Sequence, residues 1–259
     1  MIEKETIEQL AKTWHIKPWQ QEKHYIQSAI LSQMGEYPLV FKGGTYLWFF
    51  HGLPRFSEDL DFTLKGELPE SMSEKISKGL DLLEIPHSVK KIHNNQIALS
   101  FRISIRGPLY KNENSLCHVY IEISRRENVL LKTIPFELAN SNYFLPATLI
   151  RGMALEEVAA EKIRAIMTRD KPRDVFDLAF LIQHKKVPYN EKHIQKKLNY
   201  YNEKFDNKKL IQKAKEKKKN WEKEMASIVL SKLPPFEQEI KTIQEWAGKQ
   251  QQLPPPQTN

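Results

Sequence analysis

The stretch Asp59-Leu60-Asp61-Phe62, reached thirteen residues after Lys42-Gly43-Gly44-Thr45, constrains this chain more than any other segment. On a strand, the period of two puts Asp59 and Asp61 on one face and turns Leu60 and Phe62 into a core. Two hard oxygen ligands side by side suit Mg²⁺, which takes a few carboxylates and completes its shell with water and substrate phosphates. Upstream, Pro38-Leu39-Val40-Phe41 reads as a short strand and Tyr46-Leu47-Trp48-Phe49-Phe50 as a buried helix, so Gly43, Gly44 and Thr45 fall at the turn opening that helix. Backbone N–H groups at such a turn hold anions. A phosphate-friendly turn is thereby joined to two metal-ready carboxylates.

At 259 residues and 40% hydrophobic, the chain can bury a real core, as one large domain or two small ones. It contains no run of eighteen apolar residues, and Met1-Ile2-Glu3-Lys4-Glu5 is polar, so neither a membrane span nor a signal peptide is expected and the cytoplasm is the default location. The lone Cys117 excludes an internal disulfide or a multi-cysteine zinc site and reads as filler in a strand. His15, His24, His51, His87, His93, His118, His184 and His193 show no pair at ligand spacing and read as structural.

The net charge of +8 is segregated: between Lys185 and Lys223 stand fourteen lysines against five acids, while the remainder is close to neutral. Such an excess favours a polyanionic partner, because each phosphate neutralised releases counterions. A solvated helix face is the plainer reading of the same run. Tyr200, Tyr201 and Trp221 within it suit either base stacking or, by their helical spacing, a core.

Hydrophobic periodicity predicts two opening helices, the first with Ile7, Leu10, Ala11 and Trp14 on one face, the second with Tyr25, Ile26, Ala29, Ile30 and Met34. Strands are expected near 38–42, 58–64, 97–105 and 117–124, with a helix over 70–83 that Ser71 or Ser73 caps. In Val119-Tyr120-Ile121-Glu122-Ile123-Ser124 the alternation turns Glu122 away from the packed side. From Ala154 the pattern is helical: one helix over 154–168, a break at Pro172, a second helix capped by Asp174 through Leu181, then a long lysine-rich helix carrying Leu210 to Val229. Pro234-Pro235 precedes a last helix through Trp246. The organisation expected is therefore α+β: an α/β core with N-terminal helices over 1–150, a helical region with basic helices over 151–247, and a disordered tail over 248–259.

Three blocks resemble the nucleotidyltransferases of the AbiEii/AbiGii toxin type, a branch of the DNA polymerase β-like superfamily. They are Lys42-Gly43-Gly44-Thr45, then Arg55-Phe56-Ser57-Glu58-Asp59-Leu60-Asp61-Phe62, then Glu161-Lys162-Ile163-Arg164-Ala165-Ile166 leading through Arg169 to Arg173-Asp174-Val175-Phe176-Asp177-Leu178. Where the superfamily commonly carries Gly-Ser and a shorter gap, this chain has Gly44-Thr45, whose hydroxyl takes the serine's place.

The resemblance implies a polymerase β-like mixed sheet followed by helices, and Mg²⁺-dependent transfer of NMP from an NTP to an acceptor, with the 3′ end of tRNA as that acceptor. It also implies an antitoxin encoded alongside. Asp59, Asp61, Lys162 and Asp177 become the catalytic candidates, with Asp59, Asp61 and Glu122 as metal ligands. Gly43, Gly44, Thr45, Arg55, Ser57, Lys162, Arg169, Arg173 and Asp174 are candidates for the nucleotide. On the helix from 154, Lys162 and Arg169 lie seven apart and share a face, while Asp177 is placed to pair with Lys162. Two alternatives remain: a non-catalytic nucleic-acid-binding module using the lysine-rich helices, and a haloacid-dehalogenase-type phosphatase with Asp59-Leu60-Asp61-Phe62-Thr63 as its nucleophile loop.

Overall fold

The structure is a computed structural model that describes residues 1–69 and 71–248. The tail expected to be disordered lies, beyond Gly248, outside the described residues. The chain divides into two compact units, Met1–Met153 and the part from Ala154 onward.

The first unit opens with α1 (Lys4–Thr13) and α2 (Pro18–Leu31). A strand, β1 (Leu39–Lys42), runs straight into α3 (Gly43–His51), and β2 (Leu60–Leu64) returns antiparallel to β1. There follow α4 (Met72–Leu82), β3 (His87–Asn94), β4 (Ala98–Ile105), β5 (Cys117–Ser124), β6 (Ile134–Leu138) and β7 (Thr148–Gly152). The strands form one mixed sheet in the order β3-β4-β5-β2-β1-β7-β6. Parallel pairing of β2 with β5 and of β1 with β7 puts the two motif-bearing strands at its centre.

Its core follows the predicted alternation. Leu60 and Phe62 are buried, as are Val119, Ile121 and Ile123, while Glu122 is exposed. Cys117 fills the core at the start of β5. Three strands escape the sequence pattern for separate reasons. In β3, His-Ser-Val-Lys-Lys-Ile-His-Asn forms an exposed sheet edge, where lysines are tolerated and no apolar alternation is needed. The opposite edge, β6, carries Pro135, which only an edge strand accommodates. The third, β7, is a five-residue strand.

The opening helices differ from expectation in what they bury. Trp14 is exposed beyond the end of α1. In α2 a polar stripe is buried too, with Gln20, Gln21, Glu22, Lys23, Gln27 and Ser28 all enclosed. Ser71 is the N-cap residue of α4 but makes no side-chain cap hydrogen bond.

The second unit is helical: α5 (Leu155–Thr168), α6 (Pro172–Lys185), α7 (Glu191–Asn199), α8 (Asn207–Glu216), α9 (Trp221–Met225) and α10 (Phe236–Gly248). Here α5 packs on α6, α7 and α8, and α6 on α10. Two expectations fail. Asp174 does not cap α6: the N-cap is Lys171, Pro172 starts the helix, and Asp174 sits inside the first turn with its carboxyl buried. The long lysine-rich helix is broken, because Lys217–Asn220 tighten into a 3₁₀ turn between α8 and α9. Among the described residues no helix is long and apolar enough to cross a membrane.

Candidate active site

The first unit builds its site around a glycine. Gly43 opens α3 with φ +78°, a left-handed conformation that favours glycine. Its α-carbon also lies under Asp61: a β-carbon there would fall 3.0 Å from Cβ and Cγ of Asp61 and collide with Oδ2. Gly44 is similarly overlain, since a β-carbon would strike the Arg55 guanidinium and come within 2.7 Å of Ser57 Oγ. The turn is therefore covered by side chains of the second motif.

Thr45 is fully buried, and its Oγ1 donates to the Asp59 carbonyl at 2.5 Å. That hydroxyl ties the two motifs together, so it does not face out to meet a phosphate as expected. Arg55 is buried as well, donating to the Phe56 carbonyl at 2.9 Å. Its guanidinium, lying over Gly44, braces the turn. From α2, Gln27 Nε2 donates to the carbonyls of Ser57 and Glu58 at 3.2 and 2.8 Å. Lys23 Nζ reaches Glu58 and, at 2.5 Å, the His118 carbonyl. The backbone leading to the two aspartates is thus pinned from the helix behind it.

Register places the acids. Asp59 lies one residue before β2 and Asp61 within it, both half-buried. Asp61 pairs with Glu122 across the parallel β2–β5 ladder, and Glu122 pairs with Ser100 across β4–β5. On the other side Asp61 pairs with Lys42, whose Nζ sits 3.1 Å from Glu127 in a buried ion pair. One row across the sheet therefore reads Ser100, Glu122, Asp61, Lys42. Among the described residues no three His, Cys, Asp or Glu side chains stand close enough to hold a metal ion. The expected set of Asp59, Asp61 and Glu122 is not gathered into a cage: Glu122 is exposed and Asp59 precedes the strand.

The second unit carries a different cluster. Lys162 Nζ lies 2.6 Å from Asp177 Oδ2 and 3.1 Å from Asp174 Oδ1, all buried. Arg169 forks onto Asp174, with Nε 2.7 Å from Oδ2 and a terminal nitrogen 2.8 Å from Oδ1. Burial alone would raise the Asp174 pKa, but Lys162 and Arg169 outweigh it and hold the carboxyl well below the usual range. The two cations do converge on one ligand, and here it is Asp174. Arg173 is half-buried.

The lysine-rich segment is less open than its composition implies. Lys197 is fully buried, 2.7 Å from Glu157 and 3.0 Å from Glu161. Lys217 is buried 3.4 Å from Asp170, while Lys209 and Lys213 pair with Glu203 and Glu216. Trp221 is core, its indole N–H donating to the Pro234 carbonyl, and Tyr201 lies under the Arg164 guanidinium at 4.6 Å. His24 is structural as expected: it is stacked on Phe49, its Nδ1 is 2.7 Å from Tyr143 Oη, and burial lowers its pKa to about 3.

A family model described as nucleotidyl transferase AbiEii toxin, type IV TA system, matches residues 30–247. The chain belongs to this family. It is accordingly a nucleotidyltransferase, and the phosphatase and non-catalytic alternatives fall away. Membership also implies a nucleotide substrate and an antitoxin partner. Among solved structures the chain is similar to JHP933 from Helicobacter pylori, at 20% identity and TM-score 0.55 over 89% of this chain and 90% of that one. It is also similar to MenT4, a nucleotidyltransferase toxin from Mycobacterium tuberculosis H37Rv, at 15% identity and TM-score 0.57 over 98% of this chain and 91% of that one. At these identities the likeness concerns the fold. No curated protein matches the sequence.

Several members of these clusters carry no sequence signal of their own. Lys42 is named by its motif but its partner Glu127 is 85 residues away. Gln27 is one of several polar residues buried along α2, and Lys197 is one lysine among fourteen.

Proposed function

We propose that the protein is a Mg²⁺-dependent toxin that transfers NMP from an NTP to the 3′ end of an RNA, with tRNA as the acceptor. The observation that carries the reading is the seating of the Asp61 carboxyl on the Gly43 turn with Glu122 in register beside it.

The donor set suits the metal. Asp61 and Glu122 stand on neighbouring parallel strands, about 4.8 Å apart in the ladder, and offer only carboxylate oxygens. Mg²⁺ needs one or two carboxylates when triphosphate oxygens and water complete its octahedron, so no three-carboxylate cage is required. Asp59 and Asp61 would hold it on the triphosphate side and Glu122 on the acceptor side. Bound there, it would neutralise charge on the reacting phosphate and acidify the attacking hydroxyl.

In the transfer the acceptor's 3′ oxygen forms a bond to the α-phosphorus. The bond from that phosphorus to the bridging oxygen breaks, pyrophosphate leaves, and the hydroxyl proton passes to water. Amides of the Gly43–Gly44 turn face the phosphates, and Arg55 and Ser57 hold that turn in place. In the second unit Lys162 is the candidate cation for the nucleotide, oriented by Asp174 and Asp177, with Arg169 fixing Asp174. The exposed lysines of α7 and α8 hold the body of the acceptor.

The test is incubation of the protein with each labelled NTP, Mg²⁺ and total RNA, followed by separation of RNA from protein. Label on tRNA that is sensitive to removal of the 3′ nucleotide supports the reading. Label on protein alone would refute the choice of acceptor, and no label with any NTP would refute the activity in this form.

A further inference from the structure

The solvent side of the sheet continues beyond the carboxylates. Tyr120 on β5 pairs with Arg102 on β4, and Arg102 pairs with Lys90 on β3. Directly opposed residues of an antiparallel ladder share a face. This trio lies two residues along β5 and β4 from Glu122 and Ser100, a step of about 6.6–6.8 Å. Tyr120, Arg102 and Lys90 therefore stand on the same face as Glu122, one row away.

Two polar atoms on this face lack partners. Arg102 Nε is buried with no hydrogen-bond partner, and so is Ser100 Oγ, in the very row of Glu122. A buried donor without a partner costs about 1–3 kcal/mol, and native structures hold few of them. Two such groups on the strand beside one carboxylate ask for a ligand rich in acceptors. Beside them, Tyr120 is 38% exposed and Lys90 is exposed. After burial, the charge of Arg102 is the main influence holding the His118 pKa down, so it is felt across the face.

A guanidinium, an ammonium and a hydroxyl supply donors for phosphate oxygens, and the phenol ring supplies a stacking plane. We infer that the strip Lys90–Arg102–Tyr120 is the acceptor subsite for the 3′-terminal nucleotides of a single-stranded nucleic acid. Arg102 and Lys90 hold a backbone phosphate, and Tyr120 stacks on a base. Ser100 donates to the terminal nucleotide where its hydroxyl meets Glu122. The strand is single because a base closed within a duplex offers no face to Tyr120. This subsite rests on the nucleotidyl-transfer reading and gives it an address for the acceptor.

The experiment uses the full chain and a bulk deacylated tRNA preparation. It measures tRNA affinity by anisotropy without NTP, and then KM for tRNA and KM for NTP separately. Arg102→Ala should weaken tRNA binding about tenfold or more, with Arg102→Lys recovering part of it. Tyr120→Ala should weaken it between about five- and a hundredfold, and Tyr120→Phe should match the parent. Lys90→Glu should lower the salt slope by about one unit. KM for NTP should stay within about twofold of the parent throughout, because the effect is read on the acceptor.

Tyr120 and Lys90 are exposed, so their variants report even where Arg102→Ala fails to fold. Unchanged tRNA affinity in Tyr120→Ala and Lys90→Glu overturns the inference. A rise in KM for NTP with tRNA affinity intact overturns it too, by giving the strip to the triphosphate. Binding is read without NTP, so a parent protein that binds tRNA through this strip yet labels no RNA would support the subsite while refuting the proposed transfer. Label appearing on protein alone, with no tRNA bound, would refute the subsite and leave nucleotidyl transfer standing.

Discussion

The carboxyl group of Asp61 lies directly over the α-carbon of Gly43, which is itself held at φ +78°. Backbone conformation and space therefore demand glycine independently at this one position. The turn cannot gain a side chain without moving a carboxylate proposed to bind metal.

Gly43→Ala tests that relationship. Forcing a non-glycine residue into this conformation costs about 1–3 kcal/mol, and Asp61 must shift to clear the methyl. A displacement of the order of 1 Å costs about a hundredfold in rate. The expected outcome is a modest fall in melting temperature with at least that loss of NMP transfer, read by thermal unfolding and by labelled-NTP assay on the same sample. Full activity would show that Asp61 is not the group positioned by this turn.

The three acids should separate fold from chemistry. Asp61→Ala and Glu122→Gln remove carboxyls from a half-buried and an exposed position, so both proteins should unfold at temperatures close to the parent. Asp59 is half-buried as well, and its carbonyl, which accepts from Thr45, is kept in Asp59→Ala. Transfer should fall by about a hundredfold or more in each, the scale of losing a group that stabilises charge in the transition state. A Glu122→Gln protein with parental transfer would place the acceptor-side ligand elsewhere.

The Lys162 cluster should respond in stability as well as rate. Lys162→Ala takes the ammonium from two buried carboxylates, and breaking such an ion pair costs about 3–5 kcal/mol. Asp174 has a folded pKa below its unfolded value, so its stabilisation is present above the unfolded pKa and is lost as pH falls below it. Denaturant titrations of the parent should therefore show stability dropping below about pH 4, the ordinary range for an aspartate. In Lys162→Ala and in Arg169→Ala that acid slope should shrink. Lys162→Ala and Asp177→Ala combined should cost little more than either alone, since the two act as a unit. An unaltered acid slope would show that Asp174 is not held ionised by these cations.

The sequence displayed the placement of several candidate residues for a physical reason. Asp61 and Glu122 follow the period of two that a strand buried on one face imposes, Asp59 lying one residue before its strand, and Gly43 marks a backbone conformation that needs glycine. Lys162 and Asp177 were legible as opposite charges able to pair, whereas Asp174 read as a helix cap and instead joins Lys162 and Arg169. The edge strands β3 and β6 were not legible, because exposed lysines and a proline replace the alternation that signals a strand. Thr45 and Arg55 were visible as motif members, yet their burial is tertiary: whether a hydroxyl holds a phosphate or a neighbouring carbonyl depends on a loop fourteen residues away. The Lys42–Glu127 and Lys197–Glu157 pairs join residues 85 and 40 positions apart in a chain full of lysine, where no local pattern distinguishes a buried lysine from a solvated one.

That distinction decides how the basic region should be probed. Lys197 and Lys217 are buried in ion pairs, and reversing either would place a carboxylate beside carboxylates and unfold the second unit. Lys192, Lys196, Lys208 and Lys215 are exposed on α7 and α8, and reversing these four to Glu should leave the melting temperature close to the parent. If they hold the acceptor, tRNA affinity should fall and the slope of log K against log salt should flatten by roughly 0.7–0.9 for each phosphate no longer neutralised. NTP binding, measured by calorimetry, should not change. A parental salt slope in the reversed protein would make these lysines a solvated face and leave the acceptor to the sheet of the first unit.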